Sequence, residues 1–402
     1  VKLNNPAQQF PTSIKFWMSD GNSYSSWITN LPNIITTGPV IEKTITENYE
    51  VLFGTADGRI LIYDYDSLLN RNSIPKREVI VDEGAKIVQI AIIGSKVFAI
   101  GSKLDNNNKY DLVYNDGNII KFYDEKLIRL ATTVDGQPRQ VSIISSEKSG
   151  EHFIYITIRD QIIATFKAPT FEAAKSFSLA DLKNDGNNYL IINDGNKLFA
   201  YNLNGTLADN FPFELSDGDE FVGLPLAADI EGDLKSEIIS YTKNGGIFAF
   251  DGGTGKLVDG FPISFGSKLN SDPILFVADD KIALAGIDSS HTFSGWTISS
   301  TSSRIDWAES YGDNTNSSFL TKASAAEEDH SFFPTNRAYN YPNPVYERQT
   351  AIRYYVSEDS KINIKIFDLA GDFVAELNDD AQGGMDNETV WNVENIQSGV
   401  YL

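Results

Sequence analysis

The sequence predicts an all-β chain: a β-propeller of six or seven blades, each a four-stranded antiparallel sheet, followed by a small antiparallel β-sandwich. Three observations carry this expectation. Apolar residues recur at a period of two in short runs bounded by Gly, Asn and Asp, so strands and hairpins dominate and helices should be almost absent. A unit of 48 to 50 residues repeats along the chain. After Trp307 the alternation stops, and a second alternating region opens near Phe333.

The hairpins are plainest at 49–64 (YEVLFGTADGRILIYD), 111–124, 153–166, 189–204 and 237–251. Each is two apolar strands around a polar turn. In four of them the turn is Asp57-Gly58, Asp116-Gly117, Asp194-Gly195 or Asn244-Gly245, residue types that take a positive φ at little steric cost. Two copies align throughout: ADLKND at 180–185 with ADIEGD at 228–233 (offset 48), LFAY at 198–201 with IFAF at 247–250 (49), and Phe211-Pro212 with Phe261-Pro262 (50). Four short strands without a helix fit a propeller blade and overfill a β-helix rung. Units fall near 36–75, 86–130, 138–168, 177–213, 222–263 and 271–298, with the segment around Phe16, Trp17 and Trp27 supplying a seventh or completing the last sheet.

The expected division is therefore a propeller over 1–310, a linker over 311–332 and a sandwich over 333–402. The linker expectation rests on Gly, Asn, Ser, Thr and acidic residues without a strand pattern. In the sandwich, strands are expected at 351–356, 361–368, 373–377 and 389–393, with a Gly383-Gly384 turn and a closing Gly399-Val400-Tyr401-Leu402.

Composition narrows the chemistry. Without cysteine there is no thiol nucleophile, disulfide, iron–sulfur cluster or zinc ribbon. A formal charge of −22 with scattered basic residues argues against nucleic acid and anionic membranes as partners. The apolar runs are far shorter than the roughly 20 residues of a membrane helix, so no transmembrane segment is expected. An opening at Val1, with neither methionine nor apolar signal core, reads as a processed or trimmed N-terminus.

One loop makes a metal claim. Asp229, Glu231, Asp233 and Glu237 occupy positions 1, 3, 5 and 9 of a tight segment, and converging hard oxygens suit Ca²⁺. The competing reading is a blade turn whose acids accept local backbone N–H groups. The sister loop has Lys183 and Tyr189 at two ligand positions, and Leu234 stands where a glycine is usual. No organic cofactor and no transition metal are expected. His152, His291 and His330 each read as loop residues and not as a catalytic base, and Trp17, Trp27, Trp296 and Trp307 as blade packing.

Two resemblances follow from these residues. The stretch 226–263 resembles the repeat of FG-GAP and quinoprotein-type propellers, and Ala249-Phe250-Asp251-Gly252-Gly253-Thr254-Gly255-Lys256 is similar to a blade-docking motif, with Asp259 at the motif's closing tryptophan. Its implied role is to lock blades together. The segment 307–313 resembles the aromatic-Gly-Asp tail that closes such propellers. In the second region, Pro342-Asn343-Pro344, the turn from Ile366 to Gly371, Trp391 and Ser398-Gly399-Val400-Tyr401 together resemble the C-terminal sorting domain of type IX secretion substrates, itself similar to the Ig-like domain of flagellar hook-capping proteins. That family continues with a further strand pair beyond the point reached at Leu402. The resemblance implies export across the outer membrane of Bacteroidetes-like bacteria, contact between 333–402 and the secretion machinery, and an extracellular or outer-membrane cell-surface location.

The functional expectation is a non-enzymatic binding, adhesion or structural subunit with a protein or glycan partner on the propeller. A polysaccharide lyase or hydrolase, and an accessory subunit of a larger surface complex, stay open beside it. The discriminating feature is the propeller's central funnel.

Overall fold

The computed structural model describes residues 14–17, 23–28, 33–44, 48–70, 74–93, 95–105, 108–135, 139–215, 218–299, 304–320, 339–341, 345, 348–356, 358–383 and 385–402. The chain divides into two compact units, Val1–Ala323 and Ser324–Leu402.

The first unit opens with a two-stranded sheet, β1 (Ile14–Trp17) and β2 (Ser23–Ile28). Blade 1 follows as β3 (Val40–Lys43), β4 (Tyr49–Gly54), β5 (Arg59–Asp64), the five-residue helix α1 (Tyr65–Leu69) and β6 (Arg77–Ile80). Blade 2 is β7 (Lys86–Ile93), β8 (Lys96–Asp105), β9 (Asn108–Asn115) and β10 (Asn118–Tyr123). Blade 3 is β11 (Lys126–Asp135), β12 (Arg139–Lys148), β13 (Glu151–Ile158) and β14 (Gln161–Ala168), and the helix α2 (Phe171–Lys175) leads out of it. Blade 4 is β15 (Phe177–Ala180), β16 (Tyr189–Asp194), β17 (Lys197–Asn202) and β18 (Phe213–Glu214). Blade 5 is β19 (Phe221–Ala228), β20 (Glu237–Thr242), β21 (Gly246–Asp251) and β22 (Ile263–Ser264). Blade 6 has three strands, β23 (Ile274–Ala278), β24 (Lys281–Ile287) and β25 (Phe293–Thr297).

Successive antiparallel sheets of this kind make a β-propeller, as the 48–50 residue repeat predicts. The tight turns take the positive φ expected of them. Gly58 has φ 90° and a Cβ there would sit 1.8 Å from Asp82 O, so only glycine passes. Two blade boundaries shift: the first unit, expected to end at 75, runs on to β6 at Arg77–Ile80, and 126–130 was expected at the end of the second unit. In the structure that second segment begins β11, because Lys126 pairs with Glu147 and the run continues into Asp135↔Arg139.

The core lies between neighbouring sheets. Val40, Leu52 and Ile62 of blade 1 meet Ile87, Ile92 and Leu112 of blade 2. Phe98, Ile100 and Val113 of blade 2 meet Leu130 and Ile144 of blade 3. One large cluster then spans blades 3 to 6, from Ile143 through Leu190 and Ile238 to Leu284. Polar ties accompany these faces. Thr36 Oγ1 donates to Ile87 O (2.6 Å), Asn188 Nδ2 to Val134 O (2.8 Å) and Asn193 Nδ2 to Gly223 O (3.1 Å).

The second unit pairs β28 (Tyr339–Tyr341), β29 (Gln349–Val356) and β32 (Met385–Asn392) in one sheet, and β30 (Ser360–Phe367) with β31 (Phe373–Ala381) in another. Tyr354, Val356 and Ala381 form its buried centre, flanked by Ile352, Ile362 and Ile364. The Pro342-Asn343-Pro344 motif lies outside the described residues.

Candidate functional site

The propeller axis is where a ligand or an active centre is sought first, and it is occupied by the chain itself. Residues 304–320, placed after the last blade in sequence, run across the inner strands of all six blades. Asp229 N donates to Arg304 O (3.1 Å), Leu275 N to Ala308 O (3.0 Å), Ile41 N to Thr315 O (2.9 Å), Ile92 N to Ser317 O (3.1 Å) and Thr132 N to Ser318 O (2.8 Å). Asp181 N donates to Asp306 Oδ2 (2.9 Å), which brings in blade 4. Within this strap β26 (Ile305–Trp307) pairs antiparallel with β19, and β27 (Phe319–Leu320) pairs parallel with β11.

Side chains fix the strap as firmly as its backbone. Asp306 accepts from Asp181 N, from Ser236 Oγ (2.8 Å) and from Arg304 Nε (3.1 Å) and Nη2 (3.2 Å). Gln89 donates from Nε2 to Leu130 O (2.6 Å) and to Ser318 Oγ (2.9 Å), while its Oε1 accepts from Leu130 N (2.9 Å), joining blade 2, blade 3 and the strap. Arg129 donates to Ser310 O and lies over the Phe177 ring, and burial pushes its guanidinium down to about 10. Trp307 is fully buried in the large cluster. At Asp313, one carboxylate oxygen accepts from Thr315 N (2.9 Å) and Ser317 N (3.2 Å) and the other from Ser317 Oγ (2.8 Å). Burial, together with Asp313 and Glu50, pushes Glu42 on β3 up to about 7.

The linker expected from 311 is thus displaced for 311–320, which is ordered within the propeller. Absence of period-two patterning misled because this stretch is held from outside. It borrows the free inner edges of the blades, and Gly312, Asn316 and Ser318 turn it through positive φ (91°, 58° and 51°). Residues 321–332 lie outside the described residues.

The four carboxylates of the expected calcium loop are not brought to one point. Asp229 and Glu237 are buried, whereas Glu231 and Asp233 are exposed. The Asp229 carboxylate accepts the N–H groups of Gly232 (2.7 Å), Asp233 (3.1 Å) and Leu234 (3.1 Å). Glu237 Oε2 accepts those of Ile230 (2.8 Å) and Glu231 (3.2 Å), and Asp233 pairs with Lys235 at 2.6 Å. Among the described residues no group of three or more His, Asp or Glu side chains is arranged to hold a metal ion. Asp229 and Glu237 thus close the loop by accepting its backbone donors. The sister loop repeats the device, with Asp181 accepting from Asp185 N (3.2 Å) and Gly186 N (2.9 Å). Glu237 is pushed up to about 8 by burial, and Glu231 and Asp229 push the same way against two backbone N–H groups.

Open concavity exists instead on the rim. A cleft of about 630 Å³ between blades 2 and 3 is lined by Phe98 and Ile158 and by amide, acidic and basic side chains. Asn115 is its buried hinge, donating to Thr157 Oγ1 (3.1 Å) and accepting from Ser142 Oγ (2.8 Å). Asp116 and Arg159 stand on left-handed turns (φ 43° and 56°), so the β9–β10 and β13–β14 hairpins present them, with Asp160, at the exposed lip. Sequence reasoning singled out the Asp116-Gly117 turn but not the cleft, since its two walls are 42 to 44 residues apart and meet only through blade stacking.

In the second unit, Trp391 packs edge-on against Tyr401 (ring centroids 5.7 Å apart), and Phe367 and Leu402 exchange backbone bonds (2.9 and 2.8 Å) next to the 368–371 turn. Residues 340–402 match the family described as "Secretion system C-terminal sorting domain". This unit carries a sorting domain. The sorting domain directs type IX export to the cell surface or the extracellular space, and its partner in that step is the secretion machinery. No helix among the described residues is long and apolar enough to cross a membrane. No curated protein matches the chain. Solved structures similar to it include "Structure of Dos1 propeller" (12% identity, TM-score 0.45, 72% of this chain and 73% of that one). "Crystal structure of BBS1N in complex with ARL6DN" is similar in a lead-soaked form (14%, 0.43, 72% and 85%) and a mercury-soaked form (10%, 0.41, 69% and 82%).

Proposed function

We propose that the exported propeller is a non-enzymatic binding subunit that holds a neutral glycan in the cleft between blades 2 and 3. The observation that supports this most is the strap: residues 304–320 bond to the inner edge of every blade, across the axis where a propeller enzyme would gather its catalytic groups. Recognition is then left to the rim. The cleft's chemistry suits a sugar, because Phe98 and Ile158 offer an apolar floor while Asn118, Gln140, Gln161, Asp116, Asp160 and Arg159 offer planar donors and acceptors that match adjacent hydroxyls. A chain of net charge −22 disfavours acidic ligands.

The test is a glycan array with the intact chain, followed by titration of any hit against Arg159→Ala and Asp160→Ala. A loss of about tenfold or more in each, with unchanged melting, is expected. Binding untouched by both variants would move the site elsewhere. Cleavage of the bound glycan would instead favour the polysaccharide-degrading enzyme.

A further inference from the structure

The six blades do not share core evenly around the ring. Blades 1 and 2 share a buried cluster, as do blades 2 and 3, and a third runs through blades 3 to 6. The far face of blade 1 has its own cluster, Ile35, Val51, Phe53, Leu61, Tyr63 and Leu68, and no residue of blade 6 belongs to it. Blade 6 is correspondingly bare. Its inner-facing side packs Leu275, Ile282 and Leu284 into the main core. The register puts Ile274, Phe276, Ile287 and Phe293 together on the opposite side. They are 43%, 40%, 43% and 70% exposed. Large apolar side chains grouped in this way on one sheet face mark a surface that is covered in use.

Among the described residues of the first unit, one sheet has only two strands. Among the described residues β1 and β2 pair only with each other. Their sequences, IKFW and SYSSWI, are rich in Ile, Phe, Trp and Tyr. A lone two-stranded hairpin is marginal in water and gains stability by lying on another sheet. Its tether allows this. From Ile28, where β2 ends, to Ile35, whose backbone bridges to Thr55, the intervening residues can span about 20 Å, twice the ~10 Å spacing of stacked sheets.

We infer that the β1–β2 hairpin is a partial seventh blade, docking on the Ile274–Phe276–Ile287–Phe293 face of blade 6 and closing the ring between blades 6 and 1. The hairpin then covers the last sheet face, and the exposed surface is an internal interface.

The cysteine-free sequence makes the test clean. In the full chain, Trp27→Cys is combined with Phe276→Cys and treated with a short bis-maleimide; a second pair uses Phe293→Cys in case Phe276→Cys misfolds. The expected product is an intramolecular link in a monomer, found as a joined pair of peptides from the two segments. A link between two chains would overturn the inference in favour of a second copy. Amide exchange gives an independent readout. Phe276→Asp should speed exchange across 14–17 and 23–28 at least tenfold while leaving blades 2 to 4 unchanged. Unchanged exchange in the hairpin overturns the inference.

Discussion

Asp306→Ala should cost more stability than its single position suggests. The side chain is 3% exposed and accepts from Asp181 N, Ser236 Oγ and two nitrogens of Arg304, itself 16% exposed. Truncation strands a buried N–H and a buried hydroxyl, each worth about 1–3 kcal/mol when unsatisfied. It also removes the anionic partner of a largely buried guanidinium, a loss of about 3–5 kcal/mol in comparable pairs. These terms overlap, because Arg304 keeps bonds to Asp181 O and Leu234 O and local relaxation serves all three donors. The expected loss is therefore about 3–5 kcal/mol and not the sum. Urea unfolding at neutral pH measures it, with Asp306→Asn expected at roughly half because one acceptor oxygen survives. The exposed pair Asp233–Lys235 is the control, and Asp233→Ala should change stability by less than about 1 kcal/mol. A loss below about 1 kcal/mol for Asp306→Ala would refute the view that the strap is an integral part of the ring.

Three further outcomes follow from the geometry. Glu237 sits near pKa 8 when folded and near 4.5 by itself, so the native state binds more protons between those values and stability declines as pH rises through that window. Glu237→Gln, which keeps an oxygen for the N–H groups of Ile230 and Glu231, should flatten that decline by about 2–4 kcal/mol between pH 5 and 8; an unchanged slope in pH-dependent urea melts contradicts it. Because the Asp229 carboxylate is committed to three backbone N–H groups, millimolar Ca²⁺ and chelator should give equal melting temperatures, and a rise of several degrees with Ca²⁺ would favour the calcium site instead. Gly58→Ala should lose about 2–4 kcal/mol, since the turn must abandon φ 90° and the Asp82 carbonyl must move; a change under about 0.5 kcal/mol by thermal melting argues against that close approach.

What could be read in advance, and what could not, divides by range of interaction. Period-two strands and Asp-Gly turns are local, and the repeat between 180–212 and 228–262 made the blade visible from the order of residues alone. The sorting domain was equally legible, since its Ile366–Gly371 turn, Trp391 and the 398–401 stretch follow one order. The acidic loop was half legible. Spacing put four acids in one turn, but only coordinates show Asp229 spending its oxygens on the backbone. The strap was legible only where 307–313 resembles a propeller-closing tail; its course was not, because its partners, Ile41, Ile92, Thr132, Asp181, Asp229 and Leu275, are scattered over the whole ring. Asp313-x-Thr315-x-Ser317 was a further local signal, a hydroxyl-rich Asx turn beyond that tail.

The strap also sets the order of events in folding. Gln89 meets Ser318 across 229 residues of sequence, and Asn316 Nδ2 reaches Pro39 O across 277. Contacts so distant along the chain impose a loop-closure cost that blade-internal hairpins do not, and such topologies fold slowly. Individual blades can form as each hairpin is completed, yet the axis stays open until residue 320 is in place. A chain interrupted before residue 304 would present six inner strand edges with backbone groups unanswered, a surface prone to strand pairing with other chains. Pairing of the inner strand edges is thus timed to the last residues before the sorting domain, which leaves those edges open for as long as any of that stretch is missing.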